Sequence, residues 1–178
     1  MNRRKVEVVP YSSDWSKQFK KEQERLMTIF IKGDVVIHHI GSTSVPGLSA
    51  KPIIDILIEA ENLSVIDSAV SAMENAGYVA KGENGIPGRR YFQKSDRNGV
   101  RLYHVHGFAK GSYEVYRHLV FRDFLRAHPD EAHRYAEVKE RAAARNTYRI
   151  DSYIQEKSPI IVELEKKARD WRPSTAFQ

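Results

Sequence analysis

The chain contains no cysteine in its 178 residues. Disulfides, thiol catalysis and cysteine-ligated zinc are therefore excluded, and any metal site must be built from histidine, aspartate or glutamate. Long apolar runs are also missing: none approaches the roughly 20 residues that a membrane-spanning helix needs. No membrane partner is expected. The basic start Met1-Asn2-Arg3-Arg4-Lys5 leads into an acidic, proline-containing stretch, not into the apolar core of a signal peptide. The expected location is the cytoplasm.

What is present is a globular composition, 41% hydrophobic and 29% charged. The length suits one well-filled domain, since domains usually run to about 100–150 residues. We expect a single domain over residues 1–178, with an α/β core at about 6–110 and helices packed on it at about 112–172. The formal net charge of +6 suits a protein that handles phosphate-bearing ligands through a positive field, or one that is basic for solubility alone.

Val6-Glu7-Val8-Val9 alternates before Pro10 and reads as a short strand. Asp14 is placed to cap a helix carrying Trp15, Phe19, Leu26, Ile29 and Phe30, with Gly33-Asp34 as its break. Val35 to Ile40 is β-branched enough for a strand that turns at Gly41, and a second strand is expected from Ile53 to Ile58. Ser64 to Ala76 has a helical pattern, with Ser64 and Asp67 spaced as a capping box and Gly77 as its stop. Tyr78-Val79-Ala80 returns to the sheet. The glycine-rich stretch from Lys81 to Arg89 is a loop. Arg101 to Phe108 is a further strand, with His104 and His106 on one face. Three helices follow at roughly Tyr113–Ala127, Pro129–Ala144 and Thr147–Asp170.

The strand at residues 35–40 runs into Gly41-Ser42-Thr43-Ser44-Val45-Pro46-Gly47-Leu48. Its small residues can bring unpaired amides and three hydroxyls against an anion, which is how such turns bind phosphate. Lys51-Pro52-Ile53-Ile54-Asp55-Ile56 launches the next strand. An otherwise apolar strand has no structural use for a carboxylate unless it is paired or faces a site. Asp55 is therefore the leading catalytic or metal-binding candidate, with Gly41, Ser42, Thr43, Ser44, Lys51 and His39 as the ligand-binding set around it. His39, beside the turn, is expected to face the site, and His38 to pack elsewhere.

The run from His39 to Ile56 resembles the signature of the GrpB family, an uncharacterised family of the nucleotidyltransferase superfamily. Pro10-Tyr11, Trp15, Ala76-Gly77-Tyr78, Phe121 to Arg126, Tyr135 to Lys139 and Lys157 extend the resemblance over nearly the whole chain. It implies a nucleotidyltransferase-like α/β (α+β) fold: a mixed β-sheet flanked by helices, with a C-terminal helical extension. It further implies that Gly41 and Ser42 meet nucleotide phosphates and that Asp55 is the first carboxylate of a D-x-D pair holding divalent metals. The second position of that pair is Leu57, which can neither ligate a metal nor take a proton. Glu59 is roughly 13 Å further along the strand and reads as a solvated strand end.

His104 and His106 could join Asp55 as metal ligands, or serve as polar sheet residues that hydrogen-bond a phosphate. The implied cofactor is Mg²⁺ or Mn²⁺, or Zn²⁺ if both histidines ligate. Arg90, at the edge of the glycine-rich loop, and Arg122, on a helix, are candidates to grip phosphate. The alternative for Arg122 is an ion-pair network with partners other than its neighbour Asp123. The basic residues of the last two helices, Lys139 and Lys157 among them, are interleaved with glutamates and read as a solvated face. Two functions remain open: nucleotidyl or phosphoryl transfer to a small molecule, or a non-catalytic module that binds a nucleotide or coenzyme A-related ligand. Nucleic-acid binding is disfavoured, since no strand shows basic and aromatic alternation.

Overall fold

The computed structural model describes residues 5–30 and 35–177. Helix α1 (Asp14–Ile29) buries Trp15, Phe19 and Leu26, spaced by about one and two turns on a single face. The break expected at Gly33-Asp34 lies outside the described residues. Five strands follow: β1 (Val35–Ile40), β2 (Ile54–Ala60), β3 (Tyr78–Ala80), β4 (Arg90–Ser95) and β5 (Arg101–Ala109). They form one mixed sheet in the order β1-β2-β5-β4-β3. Only β2 and β5 run parallel, so the chain between them must cross over. It does so through α2 (Leu63–Asp67), α3 (Val70–Asn75) and the β3–β4 pair.

Side chains alternate along each strand, so the sheet has two distinct faces. Ile37, Ile56, Ile58, Phe92 and Val105 lie on one face and form the main core with Leu26, Ile66 and Met73 of α1, α2 and α3. Ile40, Leu57 and Phe108 lie on the other, beneath Val115 of α4 (Tyr113–Ala127). Helices α5 (Pro129–Arg145) and α6 (Ile150–Trp171) pack on α4, and their shared core includes Val45 and Leu48 of the loop after β1. The glycine-serine loop is thus held between the sheet and the helical tail.

Three expectations need correction. Val6 to Val9 form no strand; Val9 makes an isolated bridge to Ala50, and the Val6 amide donates to the Thr147 carbonyl. With no partner strand alongside, the segment takes its acceptors one at a time. The helix expected from Ser64 to Ala76 is interrupted at residues 68 and 69. No capping box forms, because Asn62 occupies the N-cap position and the Asp67 carboxylate binds Arg90. The last helix starts at Ile150 instead of Thr147, since Asn146 folds its amide back onto the Ala142 carbonyl at the end of α5.

Candidate functional site

The site begins where β1 ends. Gly41 has φ 70° and ψ −174°, a region open essentially to glycine alone. A Cβ added there would lie 2.7 Å from Asp55 Oδ2, because Ile40 and Asp55 are register partners across β1 and β2. The turn backbone therefore lies against the carboxylate. Residues Ser42–Ser44 then form one 3-10 turn. Two of its three hydroxyls are directed inward: Thr43 Oγ1 meets His39 Nε2 at 3.0 Å, and Ser44 Oγ donates to the Gly41 carbonyl. Ser42 is the hydroxyl left at the site.

Three cations from the helical tail hold this loop by its oxygens. Arg122 Nη1 donates to the His39 carbonyl at 3.2 Å, and Arg126 donates twice to the Ser44 carbonyl, at 2.9 and 2.8 Å. Lys139 Nζ donates to Ser42 Oγ at 2.8 Å and to the Ser49 carbonyl. Arg122 also pairs with its own neighbour, Nε to Asp123 Oδ1 at 2.8 Å. Sequence reasoning had excluded that pairing because adjacent residues point apart on a helix; a long guanidinium side chain can bend back far enough to form it.

Asp55 faces the same side of the sheet as its β5 register partner His104, with His106 next along that strand. His104 Nδ1 and His106 Nε2 lie 3.4 and 3.5 Å from one oxygen, Asp55 Oδ1. Burial pushes the Asp55 carboxyl up, but hydrogen bonds from both imidazoles and their charge outweigh it and hold the group well below the usual carboxylate range. Leu57 is fully buried on this face.

His39 and His38 exchange their expected positions. His39 belongs to the opposite face, stacked on Phe19 of α1 with ring centroids 4.7 Å apart, and burial lowers its pKa to about 4. His38 shares the Asp55 face and binds Glu59 at 3.0 Å. Glu59 is thus a paired carboxylate, not a solvated strand end. Arg90, the register partner of Gly107, also lies on the face away from Asp55, paired with Asp67. Its neighbour Tyr91 is the residue that meets His104 and His106, with ring centroids 5.7 and 5.2 Å apart.

Two residues read as solvated form the other half of the site. Lys139 is 2% exposed, its ammonium 4.4 Å from the Tyr135 ring centroid. Lys157 and Lys51 both lie over the Tyr153 ring, at 4.9 and 5.6 Å. Burial and then the charge of Lys157 bring the pKa of Lys139 down to about 7, with Lys51 acting in the same direction and Glu140 and Asp55 opposing. Burial and then Lys51 bring Lys157 down to about 8, and burial lowers Lys51 as well. Among the described residues none of the three has a carboxylate ion-pair partner. Three ammoniums thus lie at or near the turn with no carboxylate ion pair, an excess of positive charge that an anion would relieve.

The donor set does not match a two-ion centre. Such a centre needs several carboxylate oxygens, and here the second position is Leu57 in the core. Among the described residues no group of three or more His, Asp or Glu side chains is arranged to hold a metal ion.

The profile of the GrpB protein family matches residues 5–167. The chain belongs to the GrpB family. The UPF0157 protein YqkA of Bacillus subtilis is 45% identical over 96% of the chain and 49% of its own length. The chain thus spans about half the length of that relative. A protein named dephospho-CoA kinase from Mycolicibacterium paratuberculosis is 30% identical over 97% of the chain and 48% of its own length. Among solved structures, the conserved protein GrpB of Enterococcus faecalis superposes with a TM-score of 0.86 at 37% identity, covering 93% of this chain and all of that one. The Cid1 poly(U) polymerase bound to MgATP superposes at 0.50 with 8% identity, over 75% of this chain and 45% of its own. That likeness is one of fold: this GrpB chain has a nucleotidyltransferase-like mixed α/β architecture, and no helix among its described residues is long and apolar enough to cross a membrane.

Proposed function

We propose that this site binds the phosphate groups of a small molecule, with a nucleotide or a coenzyme A-related compound as the ligand class. The observation that carries the reading is the charge, without a carboxylate ion pair, of buried Lys139 on Ser42 of the turn and of half-buried Lys51 and Lys157 over Tyr153. Maintaining three ammoniums at half-buried or buried positions opposes stability, and a polyanion reverses the sign of that interaction. Ser42 and the opening amides of the 3-10 turn, which have no acceptor within it, add hydrogen-bond donors. The fold of a polymerase bound to MgATP and the dephospho-CoA kinase name of a relative support the choice of ligand class. The same reading places the protein in the cytoplasm, where such ligands are plentiful.

A large nucleic acid is a poorer fit. Several basic residues on the outside of α5 and α6 are already paired, Arg134 with Glu131 and Glu163, Arg145 with Glu156, and Lys167 with Glu131. A second reading, metal-dependent nucleotidyl transfer, draws on Asp55 alone, which lies beside the turn at the start of β2.

A thermal-shift panel of nucleotides and coenzyme A precursors, each with and without Mg²⁺, Mn²⁺ and Zn²⁺, tests the proposal. Ligand at about one hundred times its Kd stabilises by about 2.7 kcal/mol, a rise of several degrees. The expected result is such a rise with di- and triphosphates. A flat panel would remove the proposal. A rise that needs metal and disappears in Asp55→Ala would favour the second reading.

A further inference from the structure

Resting on the reading of the Gly41-Ser42 turn and its lysines as a phosphate site, we propose that it takes its polyphosphate as the metal-free anion. Lys51, Lys139 and Lys157 then supply the charge that divalent ions supply in two-ion nucleotidyl-transfer sites. Asp55 serves to orient the imidazoles of His104 and His106, not to ligate a metal.

The two oxygens of the carboxylate have different neighbours. Oδ1 faces His104 Nδ1 and His106 Nε2, and Oδ2 lies over Gly41 so closely that a Cβ there would collide with it.

Further oxygen ligands are missing where geometry would require them. The next residue on this face of β2 is Leu57, fully buried with Ile40, Phe108 and Val115. The next carboxylate beyond it, Glu59, is bound to His38. Across the sheet, the register partners of Asp55 and Leu57 are His104 and His106. An imidazole carries no negative charge in either of its forms and cannot balance the charge of a pair of divalent ions.

The positive charge is instead built into the chain. The ammoniums of Lys51 and Lys157 share the ring of Tyr153, and that of Lys139 lies over Tyr135, so the π faces of buried tyrosines support cations that lack carboxylate partners. Each of the three is within electrostatic reach of Asp55. A divalent cation approaching Asp55 is therefore repelled by three neighbours, and a polyphosphate is attracted by the same three. In this arrangement the Asp55 carboxylate opposes the anion. Its removal then has the opposite effect from removal of a metal ligand.

Calorimetric titration of the full chain with inorganic tripolyphosphate and with ATP, in chelator and then with Mg²⁺, Mn²⁺ or Zn²⁺, distinguishes the cases. The expected result is binding in chelator that Mg²⁺ weakens by competing for the phosphates. Asp55→Asn should tighten binding about fivefold by removing a like charge. Lys157→Met should weaken it about tenfold or more by removing a charged donor. Binding seen only with a metal and abolished in Asp55→Asn overturns metal-free recognition while leaving a phosphate site in place. No binding of either anion under any condition overturns both. If Asp55→Asn fails to fold, as circular dichroism would show, the metal dependence of the unaltered chain and the Lys157→Met titration decide the question.

Discussion

Lys139 Nζ lies 2.8 Å from Ser42 Oγ, joining residues 97 positions apart. This hydrogen bond ties the helical tail to the glycine-serine turn. It also brings a buried ammonium to a turn for which the sequence suggests amides, hydroxyls and Lys51.

Lysines kept for a ligand and lysines kept for the fold respond differently to truncation of their charge. Lys157 makes no hydrogen bond to the turn, so Lys157→Met should leave the denaturation midpoint of the empty protein unchanged or raise it, since an apolar chain is easier to bury than an unpaired ammonium. Lys139→Met should lower stability by about 1–3 kcal/mol, because the Ser49 carbonyl loses its donor. Equal losses in the two variants would contradict this division.

The depressed lysines also set a pH dependence. With folded pKa values of about 7 and about 8, against an ordinary lysine near 10.5, Lys139 and Lys157 bind fewer protons in the folded than in the unfolded chain across that interval. The stability of the empty protein should therefore rise between about pH 7 and pH 9.5. At the acid end, His39 and His118 are both lowered to about 4, chiefly by burial, so their contribution is present above about pH 6.5 and is lost as pH falls toward 4. Urea midpoints measured from pH 4 to pH 9.5 should climb at both ends, and saturating polyphosphate should flatten the alkaline rise.

Gly41→Ala should cost about 1–3 kcal/mol from backbone conformation alone, before the contact with Asp55 is counted. Phosphate binding should weaken with it, since turn and carboxylate can no longer lie together. An alanine variant with unchanged stability and affinity would show that the turn adopts another path.

Restoring the D-x-D pattern should fail structurally. Leu57 is fully buried, so Leu57→Asp should destabilise by more than about 3 kcal/mol through the lost apolar contact and an unpaired buried carboxylate. A well-folded variant that gains tight Mg²⁺ binding would contradict this description of the site.

The fold was largely legible because its signals are local. The β-branched run before Gly41, the alternation around His104 and His106 and the helical repeats of the tail appear in the structure close to where those patterns placed them, whereas the caps expected at Asp14 and Ser64 do not form. The site was legible only in part. Alternation says that His38 and His39 face opposite sides, but which side α1 covers is a tertiary fact, and it favours the pair Ile40 and His38 for the Asp55 face. Lys139 and Lys157 did leave a trace. Lys139 continues the buried α5 stripe of Ala132, Tyr135, Ala136, Ala142 and Ala143, and Lys157 falls between Tyr153 and Ile160 of the α6 stripe. A lysine in phase with an apolar stripe is a stronger signal than its place among alternating charges, and the charge pattern was given too much weight.

The central claim is that the lysines and the glycine-serine turn together receive a polyphosphate. A crystal structure of the chain grown with a non-hydrolysable nucleoside triphosphate in chelator tests it most directly. The account requires the phosphates to lie against Ser42 and the ammoniums of Lys139 and Lys157. Phosphates seated elsewhere, with the Ser42–Lys139 hydrogen bond undisturbed, would contradict it.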